Sequence, residues 1–382
     1  MLKRLRRLLR ERQDLKLFKA VPRLQRRCVI YSEGGGYWTY FEAVVNALID
    51  EYSESIIYVT SSEDDPILNA RPVGIKPFYI GAGTNRTIFF ATLDVDVLVT
   101  TMPDLQTFHI KRSPYHVKYV YLHHSMVSTH MVYRPAAFDH FDAILCVGPH
   151  HVEETKAREC KMSLPPKDLV EHGYGRLDII LNESQRGPIS RKSNESKCVL
   201  VAPTWGQSAL LEKHGCEVIR YLLDAGLRVI VRPHPRTISM RPEVLTKIVK
   251  KFEAYQQFEL DEDANGRKSF YAADVMVSDW SGAALEFSFG LERPIIFIDL
   301  ARKIQNPSYL QLEIEPLEVK IRSEIGEVVS LDQLHRIGEI AHKLAEDRQR
   351  WQVAARSARN RWVFNTRRSG TAAAKYLHSI LP

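Results

Sequence analysis

Short apolar runs alternate with stretches of helical period along most of this chain. The first run, Arg27 to Tyr31, is followed by a Gly-rich loop, Ser32-Glu33-Gly34-Gly35-Gly36, and a helical pattern from Trp38 to Ile49. Further strands are predicted at Ile56–Thr60, Phe78–Ile80, Val95–Thr100, Val117–Leu122 and Ala143–Val147, with a helix from about His150 to Glu159. Residues 181–197 are polar, with Gly, Pro and repeated Ser, and read as a linker. The pattern then restarts. Strands are expected at Cys198–Ala202, Arg228–Val231, Val275–Val277 and Pro294–Ile298. Helices are expected at Leu210–Asp224, Pro242–Tyr255 and Leu331–Trp351, with a broken helical tail over Val353–Leu377. Strands that alternate with helices imply mostly parallel sheets.

The most informative stretch is Val275 to Asp299. It reads as strand, polar turn (Ser278-Asp279-Trp280-Ser281-Gly282), helix (Ala283 to Phe289, closed by Gly290) and strand. Free N–H groups at a helix N-terminus favour an anion, and a diphosphate is expected there. Glu286, four residues after Gly282, is expected on the same face, where it accepts hydrogen bonds from ribose hydroxyls. The plainer alternative is that Ser281 caps a helix and Glu286 is solvated.

Two Rossmann-like halves, a linker and a helical tail that crosses back describe an α/β GT-B architecture with a cleft between the domains. The expected divisions are an N-terminal arm (1–26), an acceptor domain (27–185), a nucleotide-donor domain (197–350) and a C-terminal helical tail (351–382). Ligands in such sheets bind at the carboxyl ends of the strands. The polar residues there are Glu33, His124, Pro149-His150, Thr204, Arg232, His234 and Ser278 to Gly282. A histidine near its ordinary pKa can take a proton from a hydroxyl. An arginine offers phosphate a bidentate fork. Each histidine alone could equally be a hydrogen-bonded structural residue.

The 382 residues exceed one typical domain, with 45% hydrophobic and 26% charged residues. The net charge of +7 is uneven. Residues 1–27 hold eleven Lys/Arg and two acids, Glu11 and Asp14, leaving 42 basic against 44 acidic residues elsewhere. The body is therefore no basic nucleic-acid binder. Leu2, Leu5, Leu8 and Leu9 lie at helical spacing within the basic arm. Residues 1–20 thus read as an amphipathic helix for an anionic membrane surface, the alternative being a packing arm. No run is long enough for a transmembrane helix, and no signal-peptide core is present. The five cysteines form no C-x-x-C pair and read as reduced core residues of a cytosolic protein. Asp94-Val95-Asp96 has metal-binding spacing but sits at the polar start of a strand, so no metal and no cofactor are expected.

Taken together, these stretches resemble the CDP-glycerol glycerophosphotransferase family of teichoic-acid-type polymer synthesis. The pieces are Tyr31-Ser32-Glu33-Gly34 with Tyr37-Trp38, His124-Ser125, Gly173-Tyr174 with Arg176 and Asp178, Ala202-Pro203-Thr204-Trp205, Arg232-Pro233-His234-Pro235, and Ser278-Asp279-Trp280-Ser281 with Glu286. The resemblance implies a GT-B enzyme, peripheral on the inner face of the cell membrane. It moves glycerol phosphate, or a related alditol phosphate, from a CDP-linked donor to a membrane-associated glycan or polymer and releases CMP. It implies His124 as catalytic base; His234, rigidly placed between two prolines, is the second catalytic candidate and can donate to a phosphate or leaving group. Arg232, His234, Asp279 and Ser281 bind the donor diphosphate, with Thr204, Ser278, Gly282 and Glu286 beside them. Glu33, Gly34, His130 and Arg176 line the acceptor side or cleft. Three departures stand out: Ser125 replaces the family's glycine, Gly175 its proline, and Gly206-Gln207 its Arg-Asp. The other readings are a GT-B glycosyltransferase or epimerase using a nucleotide sugar, or a non-catalytic membrane-docked scaffold. Acceptor identity, chain extension and oligomeric state are not encoded in these motifs.

Overall fold

The computed structural model describes residues 2–108, 110–185, 196–263 and 267–382, excepting the side chains of residues 2–4. Of the expected linker, 186–195 fall outside the described residues. Residues 181–185 instead finish the helix Gly175–Gln185.

The first sheet holds β1 (Cys28–Ser32), β2 (Ile56–Thr60), β3 (Ile75–Tyr79), β4 (Val97–Thr100), β5 (Lys118–Leu122), β6 (Ala143–Cys146) and β7 (Asp168–Glu171). Their order is β3-β2-β1-β4-β5-β6-β7, and every pairing is parallel. The second sheet holds β8 (Cys198–Val201), β9 (Arg228–Val231), β10 (Phe258–Leu260), β11 (Val275–Ser278), β12 (Ile295–Ile298) and β13 (Gly326–Val329). Its order is β10-β9-β8-β11-β12-β13, again all parallel. In each sheet the winding direction reverses beside the first strand, between β1 and β4 and between β8 and β11. Crevices open at such reversals, at the strands' carboxyl ends. The central strands are buried on both faces, which is why they read as unbroken apolar runs.

The tail crosses back as expected. The helix Arg348–Trp362 lies against the second lobe, where Trp351 and Ala355 are buried. The chain then returns, and Ser369–Ser379 packs on Trp38–Tyr52 of the first lobe, burying Ala373, Ala374 and Leu377 among Phe41, Val44 and Leu48. Gly370 permits this contact, because a Cβ there would lie 2.3 Å from the Ala43 carbonyl oxygen.

Three expected helices need correction. Leu331–Trp351 divides into a 3-10 helix, Leu331–Arg336, the helix Ile337–Glu346 and, after Asp347, the start of Arg348–Trp362. Leu210–Asp224 is broken at His214 into Leu210–Lys213 and Gly215–Asp224. Gly290 does not close its helix, which runs Gly282–Leu291 and ends at Glu292 with φ 55°. Gly290 instead makes room for the first lobe: a Cβ would lie 2.4 Å from Ile180 Cγ2.

The basic arm is a helix, Leu2–Ala20, docked on the first lobe. Leu15, Phe18 and Val21 are buried. Its two acids fasten it. Asp14 accepts the Tyr79 backbone N–H at 2.9 Å, and Glu11 accepts the Tyr79 hydroxyl at 3.2 Å. Asp94 and Asp96 hold Arg23 at 2.8 and 2.6 Å. Among the described residues, no cluster of three or more His, Cys, Asp or Glu is placed to hold a metal, and no helix is long and apolar enough to cross a membrane. Cys28, Cys146 and Cys198 are buried, Cys216 is half-buried, and Cys160 is exposed, unlike the buried position read from the sequence.

Candidate active site

The loop after β5 carries His124 to the cleft. Its ring is half-buried, with Nδ1 3.2 Å from the Tyr121 hydroxyl and Nε2 3.5 Å from the Tyr133 hydroxyl. Tyr37, Tyr40 and Tyr133 meet it edge-on, with centroids 5.8, 6.1 and 6.0 Å away. Burial lowers its pKa to about 4; a hydrogen bond to the Thr101 backbone opposes this and the Arg236 charge adds to it. The imidazole is therefore neutral at pH 7 and can accept a proton.

Directly after it, Ser125 meets the second lobe at the start of the Gly282–Leu291 helix. A Cβ at Gly282 would sit 2.6 Å from Ser125 Oγ. The His124–Ser125 loop and the helix N-terminus therefore approach each other closely. Ser281 caps the helix, its Oγ accepting the Ala283 N–H at 3.3 Å.

On the same lobe the ends of β9 and β12 deliver positive charge, and the end of β8 delivers Thr204 and Trp205. Arg232 is buried at 8% exposure, its guanidinium 4.9 Å from the Phe270 ring centroid. His234 caps the helix Pro235–Met240, with Nδ1 accepting the Arg236 N–H at 3.1 Å. Burial, then Lys303 and Arg236, lower its pKa to about 3. A neutral ring whose Nδ1 accepts must carry its proton on Nε2, so that atom is a fixed donor. Two cations escaped the sequence reading. Arg236 and Lys303 both lie over Trp205, 4.5 and 4.4 Å from its centroid. Arg236 continues the R-P-H-P stretch. Lys303 follows β12, another strand end, which is the signal that could have found it.

The remaining candidates divide. Glu33 is half-buried in the first-lobe wall; burial raises its pKa, with Arg86 and Arg236 opposing and Asp104 adding to the rise. Gly34 is extended, and its carbonyl accepts Ser32 Oγ–H at 2.8 Å. Thr204 Oγ1 accepts from Lys303 Nζ at 2.8 Å. Four expected ligand contacts are corrected. Ser278 is fully buried and donates to the Ala202 carbonyl at 2.9 Å. Asp279 spends both oxygens on the Thr204 and Leu210 N–H groups, at 2.7 and 3.1 Å, so it shapes the loop after β8. His130 is buried away from the base, its Nε2 2.9 Å from the Ile314 carbonyl and its Nδ1 3.4 Å from Glu154. Glu286 accepts from the Tyr174 hydroxyl and Arg176 Nε, both at 2.8 Å, and so joins the lobes instead of facing a ribose.

That last pair carries a prediction. Arg176→Ala leaves a buried carboxylate without its cation, which costs about 3–5 kcal/mol. Denaturant unfolding should show this loss, and a loss below about 1 kcal/mol would contradict the structural role.

Residues 138–303 match the model of the family described as CDP-Glycerol:Poly(glycerophosphate) glycerophosphotransferase. Over that span the chain is similar to this glycerophosphotransferase family. The matched span contains the R-P-H-P and S-D-W-S stretches and ends at Lys303; His124 precedes it. No curated protein sequence matches the chain. Among solved structures, the wall teichoic acid polymerase TagF is similar over 99% of this chain and 98% of its own, at TM-score 0.62 and 13% identity. The Staphylococcus aureus MnaA–UDP structure covers 93% and 96%, at TM-score 0.61 and 14% identity. The UDP-GlcNAc 2-epimerase of Methanocaldococcus jannaschii covers 93% and 99%, at 0.59 and 12%. These likenesses establish the GT-B fold of the chain.

Proposed function

We propose that this enzyme transfers glycerol phosphate, or a related alditol phosphate, from a CDP-linked donor to a hydroxyl of a membrane-associated glycan or polymer. The observation that carries this reading is the close approach of the His124–Ser125 loop to the N-terminus of Gly282–Leu291. A neutral imidazole on the first lobe thereby faces an anion site on the second. The donor diphosphate lies on the second lobe, against the Ser281–Gly282 N–H groups, Arg232 and His234 Nε2. The acceptor approaches along the first lobe, past Glu33 and Gly34.

His124 takes the acceptor hydroxyl proton as that oxygen attacks the β-phosphorus. The bond from the β-phosphorus to the bridging oxygen breaks, and the bridging oxygen leaves on CMP. Positioning and electrostatics carry most of such a transfer, so the donors matter as much as the base. A TagF structure soaked with CDPG shares this fold, which supports the choice of donor. The test is incubation with CDP-glycerol, CDP-ribitol and UDP-sugars plus membranes. Release of CMP from a CDP-alditol is expected; release of UDP alone would replace this reading with the nucleotide-sugar alternative.

The arm is the proposed membrane contact, on the inner face of the cell membrane. Leu5, Leu8, Leu9 and Leu17 remain 54%, 39%, 56% and 50% exposed, and Arg6, Arg10, Arg12, Lys16 and Lys19 are exposed beside them. Docking through Leu15 and Phe18 thus leaves a basic, leucine-bearing surface outward. Replacing Leu5, Leu8 and Leu9 with serine keeps the docked residues. It should weaken co-sedimentation with anionic vesicles by about 10-fold or more, since each removed leucine gives up partial burial in lipid. Unchanged co-sedimentation would end the membrane assignment.

A further inference from the structure

Lys303 and Arg236 share an unusual setting. Each lies over the Trp205 ring, at 4.4 and 4.5 Å, and among the described residues neither makes an ion pair. Lys303 is half-buried and donates a hydrogen bond to a neutral hydroxyl, Thr204 Oγ1, at 2.8 Å. The carboxylates within electrostatic reach are Asp279 and Glu212. Both are engaged elsewhere: Asp279 with two backbone N–H groups, and Glu212 with Thr237 Oγ1 at 3.2 Å and the Gly206 N–H at 3.5 Å. His234 stands on the same Trp205 ring at 6.1 Å, and its own pKa is lowered in part by these two cations. Asp279 and Glu212 oppose this repulsion from a distance, but no carboxylate makes an ion pair with either cation, which leaves room for an anion that completes the set.

The two cations face different things. Arg236 lies within electrostatic reach of His124 and Glu33, across the cleft. Lys303 lies on the donor lobe between the ends of β8 and β12, bonded to Thr204.

Resting on the function proposed above, we propose that Lys303 is a catalytic residue that binds the departing nucleotide's phosphate, while Arg236 holds the phosphoryl group in transfer and Trp205 seats both. As the acceptor oxygen bonds to the β-phosphorus, the electron pair of the breaking bond passes to the bridging oxygen. That oxygen leaves on the nucleoside monophosphate, where the Lys303 ammonium meets the new charge and keeps its own proton.

The setting gives this role a distinctive signature. Burial lowers the Lys303 pKa to about 8, Asp279 and Glu212 oppose the shift, and Arg236 adds to it. A lowered lysine is charged below that value and neutral above it. The pH profile of kcat/KM, which reports the free enzyme, should therefore fall above about pH 8, whereas an anion already bound raises the pKa and spares kcat.

The experiment follows CMP release from CDP-glycerol for the wild type, Lys303→Met and Lys303→Arg. Lys303→Met should lower kcat/KM about 100-fold, the scale for removing one preorganised charge donor. Lys303→Arg should keep more than about a tenth of it and lose the alkaline fall, because a guanidinium stays charged. A Lys303→Met enzyme within about 3-fold of the wild type would overturn the proposal, as would an alkaline fall unchanged in Lys303→Arg. A calorimetric titration with inorganic pyrophosphate, on variants whose circular dichroism matches the wild type, should show affinity about 10-fold weaker in Lys303→Met. Equal affinity overturns the clamp even where the wild type releases no CMP, an outcome that would separately defeat the transfer reading.

Discussion

Replacing His124 with alanine should lower CMP release from CDP-glycerol by about 100-fold or more, the usual range for loss of a general base being about 10²–10⁴. The expectation rests on where the ring sits. Tyrosine rings surround it and keep it half-buried, but its loop ends against Gly282, where the anion site begins. With a pKa lowered to about 4, the free enzyme's base is neutral across the physiological range. The sign of the pH effect follows. Protonation disables the base, so kcat/KM should show no acid limb from His124 until near pH 4. A bound diphosphate favours the imidazolium, so the limb in kcat should lie higher than the limb in kcat/KM. Loss of activity without change in donor affinity would mark His124 as acting on the acceptor. A His124→Ala enzyme retaining more than about a tenth of wild-type turnover would remove it from the mechanism.

The strands that the sequence shows clearly are those with neighbours on both sides. β1, β2, β4, β5 and β6, like β8, β9, β11 and β12, lie inside their sheets and are largely apolar. The strands that escaped or were cut short are the four sheet edges. β7 reads D-L-V-E, β10 reads F-E-L, β13 reads G-E-V-V, and β3 contains Pro77. An edge needs less apolar sequence because one side is unpaired, and it tolerates proline for the same reason. Asp14 shows how one such edge is completed, by accepting the Tyr79 N–H from the arm. A count of charges had made Asp14 only a minor subtraction from a basic segment.

At the site, the strand-end rule found the correct loops but not the direction of each side chain. Ser278 and Asp279 lie in the right turn, yet they bond inward to Ala202, Thr204 and Leu210. Glu286 has the right spacing, yet its partners, Tyr174 and Arg176, come from the other lobe more than a hundred positions earlier. Pairings of that separation leave no local pattern. Lys303 illustrates the opposite case: it has no motif of its own, and only its place after β12 and its contact with Trp205 single it out.

Acidification should unfold this protein well before its carboxylates are fully protonated. The cause lies under the catalytic loop, where His123, His150, His151 and His172 are at most 3% exposed. His123 stacks on His151 at 3.8 Å, and His151 lies 4.0 Å from His150. Neither ring nitrogen of His123 or His172 has a hydrogen-bond partner. Burial is the leading cause that lowers all four pKa values, to about 3 for His150 and His172. An unfolded histidine titrates near 6.5, so below that pH the unfolded chain binds protons that the folded chain refuses. Stability is therefore full above about pH 6.5 and declines as pH falls toward the folded values, by up to roughly 1.4 kcal/mol per pH unit for each ring. By pH 5 His150 and His172 together cost about 4 kcal/mol, and His124 and His234, lowered to about 4 and 3, cost about as much again, while His123 and His151 act in the same direction; the sum is comparable with the whole stability of an ordinary domain. Two groups act in the opposite direction. The pKa of Glu318, raised to about 7 by burial, lets the fold gain about 2 kcal/mol between pH 6.5 and 5. His130, raised overall by Glu154 against the cost of burial, also favours the folded state on acidification. The net loss remains several kcal/mol, so urea midpoints should drop steeply between pH 6.5 and 5. His172→Phe should flatten that slope by about one proton's worth. A midpoint constant from pH 7.5 to 5 would mean that these rings take up protons in the folded state.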